Sequence, residues 1–186
     1  LLCDYLLYYP SIDDSVLDEQ VLDNTVTLPR YTDGEGVQVI AVSVAGRTGG
    51  ARFYFTYTNS EGVSGRTSQI AYQNSAAALG TLQNSGANNN ASAMPFIGLQ
   101  AGDTGVRSID SVFMLDADVG LMTLILVKPL GTSVIREITA PVEKDYFMEA
   151  GVIPRIYDDA YLSFLCLPQG TLAATALMGD IKTIFT

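Results

Sequence analysis

The sequence predicts an all-β fold: an antiparallel β-sandwich or barrel, with at most one or two short helices. Short runs rich in β-branched and aromatic residues recur along the chain, and Gly or Pro stands in almost every connection. No Gly-rich strand-to-helix motif occurs, so a doubly wound nucleotide-binding fold is not expected. With 186 residues, 48% of them hydrophobic, the chain is long enough for one domain with a substantial core.

The start of the chain predicts a separate element. We expect residues 1–27 to form an N-terminal arm or short helix ahead of a single sandwich domain over 28–186. Ser11 and Asp14 have the spacing of a helix-capping pattern. Tyr5, Tyr8 and Tyr9 lie too near the start to sit easily in a core. Because amphipathic aromatic residues are favoured at protein interfaces, we predict that these three contact a partner.

From Val37 onward the pattern is that of strands. In "ARFYFTYT", Phe53, Phe55 and Tyr57 alternate with polar neighbours, which indicates a half-buried strand. "DADVG" (116–120) is interpreted as a hairpin loop, and "PVEKDYFMEAGVIP" as a helical turn or long crossover. The predicted strands are "VQVIAVSVA", "ARFYFTYT", "RTSQIAY", "IDSVFML", "LMTLILV", "TSVIREIT", "AYLSFLCL", "TLAATALM" and "IKTIFT".

Residues 73–94 interrupt this rhythm, since Ala, Asn, Ser and Gly dominate there without charge. We expect one short helix around 76–82, followed by a long loop through Asn88, Asn89 and Asn90. Long loops in compact domains are often interaction elements, so these asparagines are possible partner contacts.

Composition excludes several classes of function. Lys and Arg number 10 against 20 Asp and Glu, a formal charge of −10, so neither nucleic acid nor an anionic membrane is an expected partner. No apolar run reaches the length of a membrane span. The chain has no histidine, which removes Ser-His-Asp and Cys-His catalysis and most zinc sites within one chain. We therefore predict no enzyme, no catalytic residue, no metal site and no cofactor.

The two cysteines, Cys3 and Cys166, lie far apart in the sequence. Cys166 sits in the apolar run "YLSFLCLP" and is interpreted as a small buried residue. A disulfide between them is possible, but free thiols are favoured because cysteines are so few.

Three acidic stretches are candidates for a catalytic or cation-binding site. "AGDTGVRSI" contains the D-T-G of aspartic proteases but no second such motif, so we predict a tight turn whose Asp103 accepts backbone N–H groups, followed by a strand from Val106. Five carboxylates between Asp13 and Asp23, or Asp116 with Asp118, could hold a cation. Neither has the EF-hand spacing, so a solvated acidic face and a hairpin loop are favoured, with cation binding left open.

One local frame occurs twice, in "LPRYTDGEGVQV" (28–39) and "IPRIYDDAYLSF" (153–164). Each has Pro-Arg, an acidic turn and then an alternating apolar stretch. No nucleophile or general base accompanies either copy. We therefore interpret Arg30 and Arg155 as structural pins that bridge to a carboxylate or carbonyl at the entry to a strand, within the subunit or across to a neighbour.

Several stretches together resemble a family of small structural proteins of tailed bacteriophages. They are "LLCDYLLYYPSID", "LPRYTDGEGVQV", "PFIGLQAGDTGVRSIDSV", "LVKPL" and "IPRIYDDAYLSFLCLPQG". The resemblance covers most of the chain and is weakest over 73–94 and near 140–152. It implies a jelly-roll-like antiparallel β-sandwich in a virion component made in the host bacterial cytoplasm, on the capsid surface, as a decoration or cement protein. Implied partners are the major capsid protein or other virion subunits, with a homo-dimer or homo-trimer; the family offers no catalytic residues.

Other functions stay open at this point. A neck or tail component of the virion is one. A host-surface module that binds glycans through Tyr and loop Asn side chains is another. A hydrolase with paired carboxylates would need two of them facing each other in a deep cleft.

Overall fold

The computed structural model describes residues 1–74, 79–83, 95–137, 140–149, 153–167 and 178–184. These residues form two antiparallel sheets and one short helix, which confirms the predicted all-β sandwich with at most one or two short helices. Among the described residues, no helix has the length and apolar character to cross a membrane. The elements are β1 (Leu2–Asp13), β2 (Gln20–Val21), β3 (Gln38–Ser43), β4 (Arg52–Asn59), β5 (Arg66–Thr67), β6 (Ala71–Tyr72), β7 (Val106–Met114), β8 (Leu121–Gly131), α1 (Tyr146–Glu149) and β9 (Tyr161–Phe164).

The chain repeatedly crosses from one sheet to the other. The first sheet has the order β3-β8-β1-β9, and the second has β2-β7-β4-β5 with β6 also paired to β4. The crossings fall between β1 and β2, β2 and β3, β3 and β4, and β7 and β8. Neighbouring strands are therefore often distant in sequence, and residue contacts are mostly long-range.

The prediction of an N-terminal arm or short helix is wrong for Leu2–Asp13. This segment is a twelve-residue strand inside the first sheet, paired with β8 along its length and with β9 over Leu2–Tyr5. Ser11 belongs to an irregularity of the pairing, where its φ is +61°, and does not cap a helix. An alternating apolar run becomes a strand once a long partner is available, and β8 provides one.

The core lies between the two sheets. Phe53, Phe55 and Tyr57 point inward from β4 as their alternation predicted, and each is fully buried. They meet side chains from the other sheet, which are Leu6, Tyr9, Ile12, Val39, Ala41, Met122, Leu124 and Leu126. A second, smaller cluster around Cys3, Ile40 and Val127 covers the opposite face of the first sheet.

Tyr9 connects the two sheets. Its side chain is buried, and its hydroxyl oxygen accepts a hydrogen bond from the backbone N–H of Ile109 at 3.0 Å. Ile109 adjoins a bulge in β7, because Thr56 pairs with Ser111 while the next residue pairs with Ile109. A buried tyrosine therefore satisfies a backbone donor at an irregular point of the ladder. The prediction of Tyr9 as a partner contact is wrong, because its side chain is inside the core.

Two predicted strands do not form in the described part of the chain. Residues 132–137 of "TSVIREIT" and 181–184 of "IKTIFT" have no strand structure. Their β-branched residues fit a strand, but a strand exists only where another pairs with it. "TLAATALM" lies largely outside the described residues, whereas the helical turn in "PVEKDYFMEAGVIP" is present as α1.

One predicted loop and one predicted helix also differ from the structure. "DADVG" is not a hairpin loop, because β7 and β8 belong to different sheets and this segment crosses between them. Residues 79–82, the described part of the expected helix, are not helical, and Leu82 forms an isolated bridge with Val42. The loop asparagines Asn88, Asn89 and Asn90 lie outside the described residues.

The cysteines are free, as favoured, but the buried position expected for Cys166 is wrong. Cys3 is buried beneath the first sheet, and this burial raises the pKa of its thiol to about 11. Cys166 is exposed, two residues beyond the end of β9.

A buried ion pair closes the end of β1. Arg47 Nη2 lies 2.9 Å from Asp14 Oδ2, and both side chains are fully buried. Gln73 Nε2 donates to the other oxygen of Asp14 at 2.9 Å. Burial raises the pKa of the Asp14 carboxyl and lowers the pKa of Arg47. Within the described residues, none of the three Arg47 guanidinium nitrogens makes a hydrogen bond, and neither does Asp14 Oδ2, so the two charges are close but incompletely compensated.

The incomplete compensation predicts a non-additive mutant cycle. Arg47→Met should lower the free energy of unfolding by about 3–5 kcal/mol, because the Asp14 carboxylate is left buried without its cation. Asp14→Leu combined with Arg47→Met should cost less than Arg47→Met alone, since two desolvated charges are removed together. Urea unfolding of the singles and the double measures this. A double variant no more stable than Arg47→Met would contradict the interpretation.

Candidate functional site: a tyrosine groove beside Arg30

The two Pro-Arg frames lie against each other. The Arg30 side chain, 7% exposed, donates from Nε to Asp4 Oδ2 at 2.8 Å and from Nη2 to Asp4 Oδ1 at 2.7 Å. Its Nη1 donates to Asp159 Oδ2, in the second frame, at 3.1 Å. Asp4 in β1 is fully buried and also accepts the Tyr161 backbone N–H at 3.0 Å. One carboxylate thus joins β1, the segment entering β3 and the segment entering β9.

Arg155 occupies the equivalent place in the second frame but has a different role. Its guanidinium lies 4.6 Å from the centroid of the Tyr157 ring, and in the described residues it has no carboxylate partner. Within the described part of the subunit the predicted bridge from Arg155 to a carboxylate or carbonyl is therefore not formed, and a bridge across to a neighbouring subunit stays a prediction. A cation over an exposed ring contributes roughly 0.5–1 kcal/mol, far less than a buried bidentate pair.

Tyrosine rings complete the junction of the two frames. Tyr31 and Tyr157 meet edge to face at 5.2 Å between centroids, and the Tyr31 hydroxyl donates to the Arg155 carbonyl oxygen at 3.3 Å. Burial, with a smaller effect of the Asp4 charge, raises the pKa of Tyr31 to about 12. Tyr31 has φ +50°, a left-handed conformation that costs a non-glycine residue about 1–3 kcal/mol and is held by its surroundings.

A surface depression runs along this junction, and we call it the tyrosine groove. Its larger part has a volume of about 540 Å³, and an adjoining part of about 430 Å³ shares Pro29, Arg30 and Asp159 with it. The larger part is lined by Tyr5, Leu6, Pro29, Arg30, Asp159 and Tyr161. The smaller part adds Tyr31, Thr32, Asp33 and Tyr157.

The groove presents aromatic rings and carboxylates to solvent. Tyr161 is 69% exposed and meets Tyr5 edge to face at 5.8 Å between centroids. Tyr8, 54% exposed, lies 6.4 Å from Tyr5 and extends the aromatic surface along β1. The Asp159 side chain is 68% exposed. Of the predicted partner contacts, Tyr5 and Tyr8 are thus placed where a partner could reach them.

Sequence reasoning missed Asp4, Asp159, Tyr157 and Tyr161 as parts of this junction. A usable signal for Asp4 was its position as the lone acid in the apolar stretch "LLCDYLLYYP". A charge inside an apolar strand must have a compensating partner, and an arginine is the usual one.

Asp103 also differs from its prediction. Its carboxylate accepts from side chains, namely the Tyr57 hydroxyl at 2.6 Å, Asn59 Nδ2 at 2.8 Å and both Arg66 Nε and Nη2 at 2.9 and 3.0 Å. The prediction that Asp103 accepts hydrogen bonds from backbone N–H groups is therefore wrong, although the strand does begin at Val106. The "AGDTG" turn ties β4 and β5 to the start of β7 and has a structural role.

The other acidic stretches are largely engaged by protein donors. Asp116 accepts two hydrogen bonds from the Arg52 guanidinium at 2.6 and 2.9 Å. Asp118 accepts from the Gly49 N–H at 3.0 Å. In the segments that the structure describes, no three or more Cys, Asp or Glu side chains are grouped to hold a metal ion.

Comparisons with known proteins identify no relative, since no family model, no curated protein and no solved structure matches this chain.

The structure of this junction predicts that substituting Arg30 destabilises the fold far more than substituting Arg155. Arg30→Met should lower the free energy of unfolding by about 3–5 kcal/mol, because the buried Asp4 carboxylate loses its cation. Arg155→Met and Asp159→Asn should each cost about 1 kcal/mol or less, since their contacts are exposed. Chemical denaturation of the three variants provides the measurement. Similar losses for Arg30→Met and Arg155→Met would disprove this assignment of roles.

The Asp103 network predicts a pH dependence. The Arg66, Tyr57 and Asn59 donors hold the pKa of Asp103 down to about 2, from an ordinary value of 3.8. The stability it contributes is therefore complete above pH 3.8 and is lost as the pH falls toward 2. Asp103→Asn should be less stable than the parent at pH 7, and the difference should shrink over this range. The exposed Asp18→Asn is the control, and a difference independent of pH would refute the prediction.

Proposed function

We propose that this chain is a non-enzymatic structural subunit that works by binding other proteins in an assembled particle. Following the resemblance of its sequence, we propose a tailed-bacteriophage virion as the particle and the stabilisation of its capsid, as a decoration or cement protein, as the function. The partners would be the major capsid protein or other virion subunits.

The observation that carries this proposal is the contrast between two parts of the chain. The sandwich buries its apolar residues in two clusters, to which residues 132–137, 140–149 and 178–184 contribute nothing. These stretches contain one four-residue helix, α1, with no buried side chain. They expose Val134 (66%), Ile135 (56%), Phe147 (57%), Met148 (83%), Met178 (90%) and Ile184 (68%).

Such exposed apolar side chains suit a surface that another subunit covers. Burying one of them fully contributes about 1.5–3 kcal/mol, so a few across each subunit boundary hold a repeated lattice together. Large exposed apolar patches in proteins generally mark interaction sites. The acidic charge of −10 also favours protein partners over the nucleic acid inside a capsid.

A second function is favoured by the tyrosine groove. Exposed Tyr8 and Tyr161 rings beside the Asp159 carboxylate could stack on and hydrogen-bond to a sugar, as a host-surface glycan-binding module requires. A neck or tail position in the virion would use the same apolar surface as a capsid position.

The apolar stretches predict which substitutions weaken retention on the particle. Phe147→Ser combined with Met148→Ser should weaken retention on purified particles about tenfold or more, because two side chains buried at the contact are lost. The unfolding temperature of the free chain should be unchanged, since both side chains are exposed. Val63→Ser combined with Val119→Ser, on exposed loops of the sandwich, is the matched control.

Cosedimentation with particles that lack the chain measures retention. Full retention of the Phe147/Met148 variant, or equal loss for the Val63/Val119 control, would reject these stretches as the assembly surface. Binding to an immobilised glycan that Tyr161→Ala abolishes, without retention on particles, would favour the glycan function instead.

A further inference from the structure

The charges in the tyrosine groove leave one carboxylate available. Arg30 is already compensated by Asp4, which holds two of its nitrogens in a buried bidentate pair. Asp159 therefore places a second carboxylate beside an arginine whose positive charge Asp4 already neutralises. Its Oδ2 accepts from Arg30 Nη1, while its Oδ1 accepts no hydrogen bond from the described residues. With its side chain 68% exposed, Asp159 presents that oxygen toward solvent.

The rings of the smaller part of the groove already hold cations of this chain. Lys128 Nζ lies 5.3 Å from the Tyr31 centroid, and the Arg155 guanidinium lies 4.6 Å from that of Tyr157. In the larger part, no cation lies over the Tyr5 or Tyr161 ring in the portion of the chain that is described. The negative face of an aromatic ring attracts a cation within about 6 Å.

We propose that the larger part of the tyrosine groove binds an arginine side chain from a basic segment of a partner protein. The guanidinium would stack on the exposed Tyr161 ring and donate to Asp159 Oδ1. A planar guanidinium meets both requirements at once, whereas a lysine ammonium is a compact, strongly hydrated charge. The inference rests on the proposed function only in that the partner is a protein.

Charge complementarity decides in favour of this occupant. The chain has a formal charge of −10, so its field attracts a basic segment over the groove from a distance. A second copy of this chain would be repelled by the same field. A neutral glycan would use the rings and donate hydroxyl hydrogen bonds to Asp159, but it would form no ion pair and would not be attracted from a distance.

The test is an NMR titration of the full chain with the peptide acetyl-Gly-Arg-Gly-amide at low ionic strength. Its control is the same peptide with citrulline in place of arginine, which keeps the shape and removes the charge. We expect signals of Tyr5, Asp159 and Tyr161 to shift with the arginine peptide and not with the citrulline peptide. Added salt should reduce the binding, as expected for an exposed ion pair.

Three substitutions test whether the arginine peptide binds in the larger part of the tyrosine groove. Asp159→Asn should weaken arginine-peptide binding roughly threefold to tenfold, while the neighbouring Asp158→Asn, outside the groove, should leave it unchanged. Both should fold normally because Asp4 still holds Arg30. Tyr161→Leu should also weaken binding, since the aliphatic side chain occupies space but has no ring face.

The proposal would be overturned by the absence of shifts with the arginine peptide, whether or not maltose shifts the groove signals, by equal shifts with the citrulline peptide, or by equal losses for the two aspartate variants. Groove shifts that depend on protein concentration without peptide would assign the groove to a second copy and overturn it too. Particle retention of the Phe147/Met148 variant is measured separately, so a failed groove leaves the proposed function standing.

Discussion

The contact between the Asp4 carboxylate and the Arg30 guanidinium is the constraint on which the rest of this structure depends. Asp4 lies fully buried in β1. A charge in that position is tolerated only with a partner and with further hydrogen bonds to its lone pairs. The chain provides two arginine nitrogens and the Tyr161 backbone N–H. Three segments that are far apart in sequence therefore have to come together before the first sheet is complete.

This arrangement explains why the groove is where it is. The pair holds the segment at Pro29 and Arg30 beside the segment at Asp159 and Tyr161, and both segments donate hydrogen bonds to Asp4 in β1. The tyrosines of both segments then face the same depression. A surface held by a buried ion pair is preorganised, so a partner would lose less conformational freedom on binding there than on a loose loop. The exposed stretches after β8 have no comparable support within the described chain.

What could be predicted from the sequence was local. The alternation of Phe53, Phe55 and Tyr57 predicted β4 and its buried face, because side chains alternate across a strand whatever its neighbour is. Which strands would pair depends on contacts distant in sequence. For this reason the local pattern predicts a hairpin at "DADVG" and an arm or short helix at the start of the chain, whereas the structure has a crossing between sheets and the strand β1. The run at Val134 and Ile135 has the composition of a strand but no partner strand among the described residues.

The repeated Pro-Arg frame shows the same limit at the level of the site. Arg30 and Arg155 share a local frame of Pro-Arg followed by an acidic turn, yet it is Arg30 that pairs with Asp4. No pattern within either frame could distinguish them, since the difference comes from β1. The lone acid in "LLCDYLLYYP" was the signal that a cation had to be nearby, but it did not say which one.

We propose that this chain is a structural subunit whose apolar stretches after β8 are covered in an assembled particle. A cryo-EM reconstruction of a virion containing the chain would show these stretches in place. We expect the sandwich at regular positions on the capsid, with Phe147 and Met148 buried against a neighbouring subunit. A particle in which the chain is absent from the shell, or in which these side chains face solvent at every position, would contradict it.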